Sequence, residues 1–306
     1  MICFYHSDND GKCAGFWVNK LGKRDNFDDI FFKIDYGIVF PFEKIHENEI
    51  VYIVDYSIPP EQMDKLLEIT PNVIWIDHHK SAIEKYKDYD KEIAGLRYDG
   101  IAGCMLTYIY LCGMTDKTGN IINEFDPAFA DTAPMFTQLV ADYDVWTFKY
   151  GDLTRKFEKG ITLYPHEPED KIWFDLLTEE SVLKSDESGF PIFPRLNTIY
   201  EQGKTIIEYR KSLMKDYCEK KGFVAKFDGV ECFAVNMAMM GTDDFIIPNV
   251  EDYDLLVSFS YDGKMWNYSL RSTKIDCAEL AAHFGGGGHK AAAGCSTDTL
   301  VLETIE

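Results

Sequence analysis

Four short strand-like runs alternate with helical stretches in the first eighty residues: "ICFY", "IFFKI", "EIVYIVDYS" and "NVIWIDHH". Between them lie a helical pattern over 12–21 and "IPPEQMDKLLEI", which opens on prolines suited to a helix start and carries Met63, Leu66 and Leu67 at helical spacing. The last strand is almost continuously apolar, as a strand buried on both faces of a parallel sheet must be. Strand–helix alternation of this kind predicts an α/β fold: a doubly wound, mainly parallel sheet. In that architecture functional side chains collect beyond the carboxyl ends of the strands.

Metal-ligating residue types stand at those ends. His6, Asp8 and Asp10 follow the first strand, Asp55 ends "IVYIVD", and Asp77-His78-His79 closes "VIWID". Asp and Asn beside Gly also form solvated turns, so the stretch "HSDNDG" alone decides nothing. The same residue types at successive strand ends are another matter. Carboxylates bridge a pair of divalent ions, and neutral imidazoles fill positions on borderline metals. A later helix, "MFTQLVADYDVW", runs out at Asp142 and Asp144.

Composition narrows the partners. The chain has 306 residues, enough for about two domains, and 31 Lys+Arg against 52 Asp+Glu give a formal charge of −21. So negative a chain has little means of neutralising the phosphates of long nucleic acid. Metal ions can still hold a small phosphorylated ligand, because they reverse the local field. The eight cysteines are scattered without a C-x-x-C, and no apolar run approaches the ~18 residues of a membrane span. A reducing cytoplasm and no membrane partner are expected. After a break at 186–194, a long helical pattern covers 195–221, followed by strands, a helix and the run Gly285–Gly288. That run, between "AELAAHF" and "HKAAAG", reads as a loop of backbone N–H groups able to cradle an anion, and Arg271 in "YSLRS" as a forked donor.

"HSDNDG", "VDYS", "DHHK" and "VADYD", with "LRS" and "GGGGHKAAAG" much later, resemble in order the motifs of the DHH phosphoesterase superfamily. The resemblance is to members with a DHH-associated C-terminal domain, the nanoRNases and RecJ-like exonucleases. It implies a DHH domain over 1–190, a loop and linker helix over 191–221, and a smaller α/β substrate-binding domain over 222–306. It implies two divalent ions, Mn²⁺ first, with Mg²⁺, Co²⁺, Fe²⁺ or Zn²⁺ as alternatives. His6, Asp8 and Asp55 would hold one ion; Asp10, Asp55, His78 and Asp142 the other, Asp142 being preferred over Asp144. His79 would lie beside the phosphate as a catalytic group, with Asp55 bridging. Arg271, Gly286, Gly287, Gly288 and His289 would bind substrate. The expected activity is hydrolysis of short oligonucleotides or dinucleotides. Alternatives are a 3′-phosphoadenosine 5′-phosphate phosphatase, a cyclic dinucleotide phosphodiesterase, a RecJ-like exonuclease, a pyrophosphatase or polyphosphatase, and a non-catalytic nucleotide sensor. A homodimer is left open.

Overall fold

The computed structural model describes residues 1–112, 127–181, 184–185, 191–238 and 240–305. The break expected at 186–194 therefore lies outside the described residues as far as 190. The chain divides into two compact units, Met1–Thr205 and Ile206–Glu306.

In the first unit, β1 (Ile2–His6), β2 (Ile30–Ile34), β3 (Val51–Val54) and β4 (Val73–Ile76) form a sheet of order β2-β1-β3-β4. Every pairing is parallel. Alternate residues serve two cores. Cys3, Tyr5, Tyr52 and Val54 face one apolar cluster. Ile2, Phe4, Val51 and Ile53 face the other. Both faces of β1, β3 and β4 are covered, which is why these three lack polar alternation, whereas edge strand β2 leaves Ile30 and Lys33 exposed.

The first cluster receives α1 (Asn9–Leu21), α4 (Gly103–Cys112), α5 (Met135–Asp144), α6 (Asp152–Ile161) and α7 (Lys171–Ser181). The second receives Met63 and Leu66 of α2 (Pro60–Ile69) and Ala82 of α3 (Lys80–Lys85). Helix α1 starts earlier than its apolar pattern, because Asp8 caps it by accepting from Gly11 N at 2.9 Å. Asp10 thus sits in a helical turn rather than in a loop. A short antiparallel pair, β5 (Lys184–Ser185) and β6 (Pro191–Ile192), precedes α8 (Pro194–Lys221), inside which the two units divide.

The second unit is a seven-stranded sheet built from β7 (Gly222–Phe227), β8 (Val230–Asn236), β9 (Leu255–Tyr261), β10 (Trp266–Arg271), β11 (Gly287–His289), β12 (Ala292–Thr297) and β13 (Leu302–Thr304). Its order is β11-β12-β10-β9-β8-β7-β13, with only β8 and β9 parallel. One face is covered by Cys277, Leu280 and Ala281 of α9 (Cys277–Ala282), the other by Met214 and Cys218 of α8.

Candidate metal centre

Parallel order puts the ends of β1, β3 and β4 side by side, and the acidic and imidazole residues that follow them converge. His6 Nδ1 lies 2.7 Å from Asp8 Oδ2 and 3.5 Å from Asp55 Oδ2. His78 Nε2 lies 3.2 Å from Asp55 Oδ1, 3.4 Å from Asp144 Oδ2 and 3.8 Å from Asp10 Oδ2. Three overlapping ligand groups result: His6 with Asp8 and Asp55, Asp55 with His78 and His79, and Asp10 with His78 and Asp144. Asp55 belongs to two of them, one oxygen towards each imidazole.

The backbone is bent to make this so. Asp55 N still donates to Ile76 O at 2.9 Å, continuing the ladder, while its φ of +52° turns the side chain into the cluster. For a non-glycine residue that conformation costs on the order of 1 kcal/mol or more, and it persists only where the surroundings impose it. Asp10 is held from the other side, its two oxygens accepting from Gly103 N (2.7 Å) and Cys104 N (2.9 Å) at the start of α4. Gly103 is required by close approach: a Cβ there would come within 2.6 Å of Asp55 Cβ and 3.0 Å of Asp10 Oδ2.

The electrostatics are those of an anionic pit. Burial, then the charge of Asp55, pushes Asp10 up to about 8. Burial likewise raises Asp55 to about 8, with Asp8 and Asp144 adding to it. Asp144 is raised to about 7 by burial and by Asp10. Burial opposes protonation of His6, but its contacts with Asp55 and Asp8 outweigh this and lift it to about 10. Six buried side-chain polar atoms among the described residues lack a hydrogen-bond partner. Four of them are here: both Asp55 oxygens, Asp144 Oδ2 and His6 Nδ1, whose 2.7 Å approach to Asp8 Oδ2 is an ionic contact without hydrogen-bond geometry. Buried polar groups are nearly always paired. Lone pairs left over at the meeting point of carboxylates and imidazoles fit divalent cations, and the mixed O/N donors suit Mn²⁺, Fe²⁺ or Zn²⁺.

The residues around the cluster orient it. Asp77, fully buried, accepts from the backbone N–H of His78 (2.8 Å) and of His79 (3.3 Å), and its Oδ1 lies 2.7 Å from His79 Nδ1. That contact outweighs burial and raises His79 to about 9. Asp35, just past β2, lies 3.5 Å from His6 Nε2 and accepts from Ser7 Oγ at 2.5 Å. Sequence reasoning passed over Asp35; its signal was its place one residue beyond a strand that neighbours β1.

The structure brings together His6, Asp8, Asp10, Asp55, His78 and His79, and with them Asp144 rather than the expected Asp142. Asp142 accepts from Thr147 Oγ1 (2.5 Å), Lys149 N (2.7 Å), Tyr150 N (3.2 Å) and Thr154 Oγ1, which occupies both its oxygens. It staples the turn between α5 and α6, while Asp144 Oδ2 lies in the cluster, 3.4 Å from His78 Nε2. Replacing Asp142 by Ala should therefore lower the unfolding free energy by about 2–4 kcal/mol, since charge-assisted bonds are lost and donors stranded. Asp144→Ala should leave that free energy nearly intact but weaken metal binding. Denaturant unfolding and metal analysis of both variants check this.

The glycine run also differs from expectation. Gly285 N donates to Ala282 O and Gly286 N to Ala281 O, both at 3.0 Å, with Gly285 at φ +73°. This is a Schellman cap closing α9, so the N–H of Gly286 is already used. Gly287 and Gly288 enter edge strand β11. Register does align Arg271 and His289, each opposite Ala292, so their side chains share one face of the second sheet.

The chain matches no protein-family model. It is 27% identical over 266 residues to an uncharacterised protein of Acanthamoeba polyphaga mimivirus, covering 81% of this chain and 53% of that one. The chain thus spans about half the length of the curated relative it matches. Among solved structures it resembles the DHH domain of a member of a ribosomal-protein family, with a TM-score of 0.54 and 12% identity over 99% of this chain and 82% of the other. It also resembles PggH, a pGpG-specific phosphodiesterase from Vibrio cholerae, with a TM-score of 0.52 and 13% identity over 97% and 93%. At these identities the likeness speaks for the fold. Among the described residues, no helix is long and apolar enough to cross a membrane.

Proposed function

We propose that this chain, whose fold is that of the DHH superfamily, is a metal-dependent phosphoesterase that hydrolyses short oligonucleotides or dinucleotides. The observation that carries the reading is the strand-end cluster with four unpartnered buried atoms, in a fold shared with a pGpG-specific phosphodiesterase. His6, Asp8 and Asp55 would hold one ion, and Asp10, Asp55, His78 and Asp144 a second, with Mn²⁺ the first candidate. Two such ions, when bound, would acidify water and neutralise charge on phosphoryl oxygens. His79 holds a proton on Nδ1 against Asp77, which leaves Nε2 to orient the phosphate or to assist the departing oxygen. The proposed domains are 1–190, 191–221 and 222–306, the two compact units parting inside the middle segment at 205/206, with substrate held in the last part by Arg271 and His289. The cytoplasm is the proposed location.

A formal charge of −21 gives added nucleotides repulsion rather than grip beyond the site. With Mn²⁺, turnover should fall from dinucleotides towards strands of tens of nucleotides. Arg271→Ala should raise KM by about 10- to 150-fold, the worth of one charge-assisted hydrogen bond, with less effect on kcat. A substrate panel with product termini identified checks both; processive degradation of long single strands would instead favour the RecJ-like reading.

A further inference from the structure

Beside His79 lies a cavity of about 590 Å³, within the range of small-molecule sites. Three tyrosines, Tyr36, Tyr56 and Tyr86, contribute to its lining. Tyr56 and Tyr86 are fixed: the Tyr86 hydroxyl donates to Ile58 O at 2.7 Å, its ring lies 4.3 Å from that of Trp75, and Tyr56 is almost fully buried. Tyr36 is different. Its ring stands 4.9 Å from Tyr56 and 5.8 Å from both His6 and His79, which ties the cavity to the metal centre, yet it is 54% exposed. It belongs to a turn closed by Ile38 N donating to Asp35 O, with Gly37 at φ +91°. That turn also leaves Ile38 50% and Val39 88% exposed. Three neighbouring apolar side chains held open at the mouth of a cavity mark a contact surface.

The charge of the lining is as informative as its rings. The chain has 52 acidic residues, yet among the described residues no carboxylate lines this cavity, and Lys85 is its one permanent cation. Among the described residues Lys85 makes no ion pair. Helix α3 runs from His79 at its cap to Lys85 at its end, so the two are separated by about 9 Å along the axis. Beyond His79, which faces the metal centre, the space is aromatic with Lys85 as its one cationic donor, which suits a nucleoside far better than a second phosphate. Polyphosphate or pyrophosphate would need several cations here.

Resting on the phosphoesterase reading, we propose that this cavity receives the nucleobase joined to the phosphate at the metal centre. The base lies against Tyr36 over a floor of Tyr56 and Tyr86, and Lys85 donates to an acceptor on its edge. The cavity thereby selects nucleotides over inorganic phosphates, and Tyr36 is the residue that sets this specificity.

Calorimetry on the full Mn²⁺-loaded chain tests this with three probes: guanosine 5′-monophosphate, ribose 5-phosphate, which lacks only the base, and pyrophosphate. Stacking on an aromatic side chain should make the nucleotide bind about 5- to 150-fold more tightly than ribose 5-phosphate. In Tyr36→Ala that ratio should fall towards one, while ribose 5-phosphate and pyrophosphate bind as before. Ser81→Phe, which fills the cavity from an exposed helical position, should do the same. Equal affinities of the two sugar phosphates for the unaltered chain, or a ratio that survives both substitutions, would overturn the assignment. The expected ratio in a chain that hydrolyses no phosphoester would leave the cavity assignment standing and remove the phosphoesterase reading. Hydrolysis of dinucleotides without any preference for the base would do the reverse.

Discussion

Asp55→Asn is expected to lose more than about 100-fold of phosphoester turnover and, without metal, to melt at a higher temperature than the unaltered protein. The first effect follows from sharing. Even groups that merely orient a ligand cost about 10- to 100-fold when removed, and Asp55 offers one oxygen to each imidazole side of the cluster. The second follows from its surroundings. Asp55 is 1% exposed, neither oxygen has a hydrogen-bond partner, and Asp8, Asp10 and Asp144 crowd it with like charge. An amide of the same shape removes that charge. At pH 8 this should stabilise the metal-free fold by about 1–3 kcal/mol, each kcal/mol raising the midpoint by roughly 2–4 °C. Turnover at saturating Mn²⁺ and melting curves in chelator check the pair of effects. A variant that kept its activity, or melted earlier without metal, would show that Asp55 serves the fold and not the ions.

The metal-free protein should also become less stable as pH rises from about 4 to 8, the opposite of its behaviour with metal. Asp10 and Asp55 hold their protons up to about 8 in the folded chain, and Asp144 up to about 7. In the unfolded chain all three lose them near 4. Between those values the folded state binds more protons, so stability falls with pH, each unit of displacement being worth about 1.4 kcal/mol before coupling among the three is counted. His6 and His79, raised to about 10 and about 9, extend the same trend above their ordinary range near 6.5. Asp142 acts oppositely: burial works against its charge, but its hydrogen bonds hold its carboxyl below the usual range, so its stabilisation is lost only under about pH 4. Divalent metal displaces the protons and binds more tightly as pH rises. Melting curves at pH 5 and pH 8, with chelator and with Mn²⁺, should therefore diverge. Parallel curves would mean that these carboxylates are not held protonated in the absence of metal.

What the sequence revealed, and what it concealed, has a physical pattern. Strands β1, β3 and β4 were legible because both their faces are buried and nothing polar interrupts them, edge strand β2 less so because Lys33 interrupts it, and the convergence of His6, Asp8, Asp10, Asp55, His78 and His79 was legible because parallel order sets strand ends side by side. That Asp144 rather than Asp142 faces the cluster has a reason of helical phase. Residues two apart on a helix point some 200° away from each other, and only tertiary packing decides which faces the site. The donors that claim Asp142 come from residues 147–154 and do not announce themselves in "VADYD". Gly285 and Gly286 were read as an anion cradle because a glycine run advertises backbone freedom without saying whether a helix end will use it. Tyr36 escaped notice because an exposed aromatic in a turn has no sequence signature; only the cavity behind it gives it meaning.

The most direct test of the central claim is a titration of chelator-stripped protein with Mn²⁺, following release of mononucleotides from a single linear dinucleotide. No turnover should occur without metal, and the rate should climb to saturation as two equivalents bind per chain. Full turnover in chelator, or no release at any Mn²⁺ concentration while the protein binds the ion, would contradict a two-metal phosphoesterase.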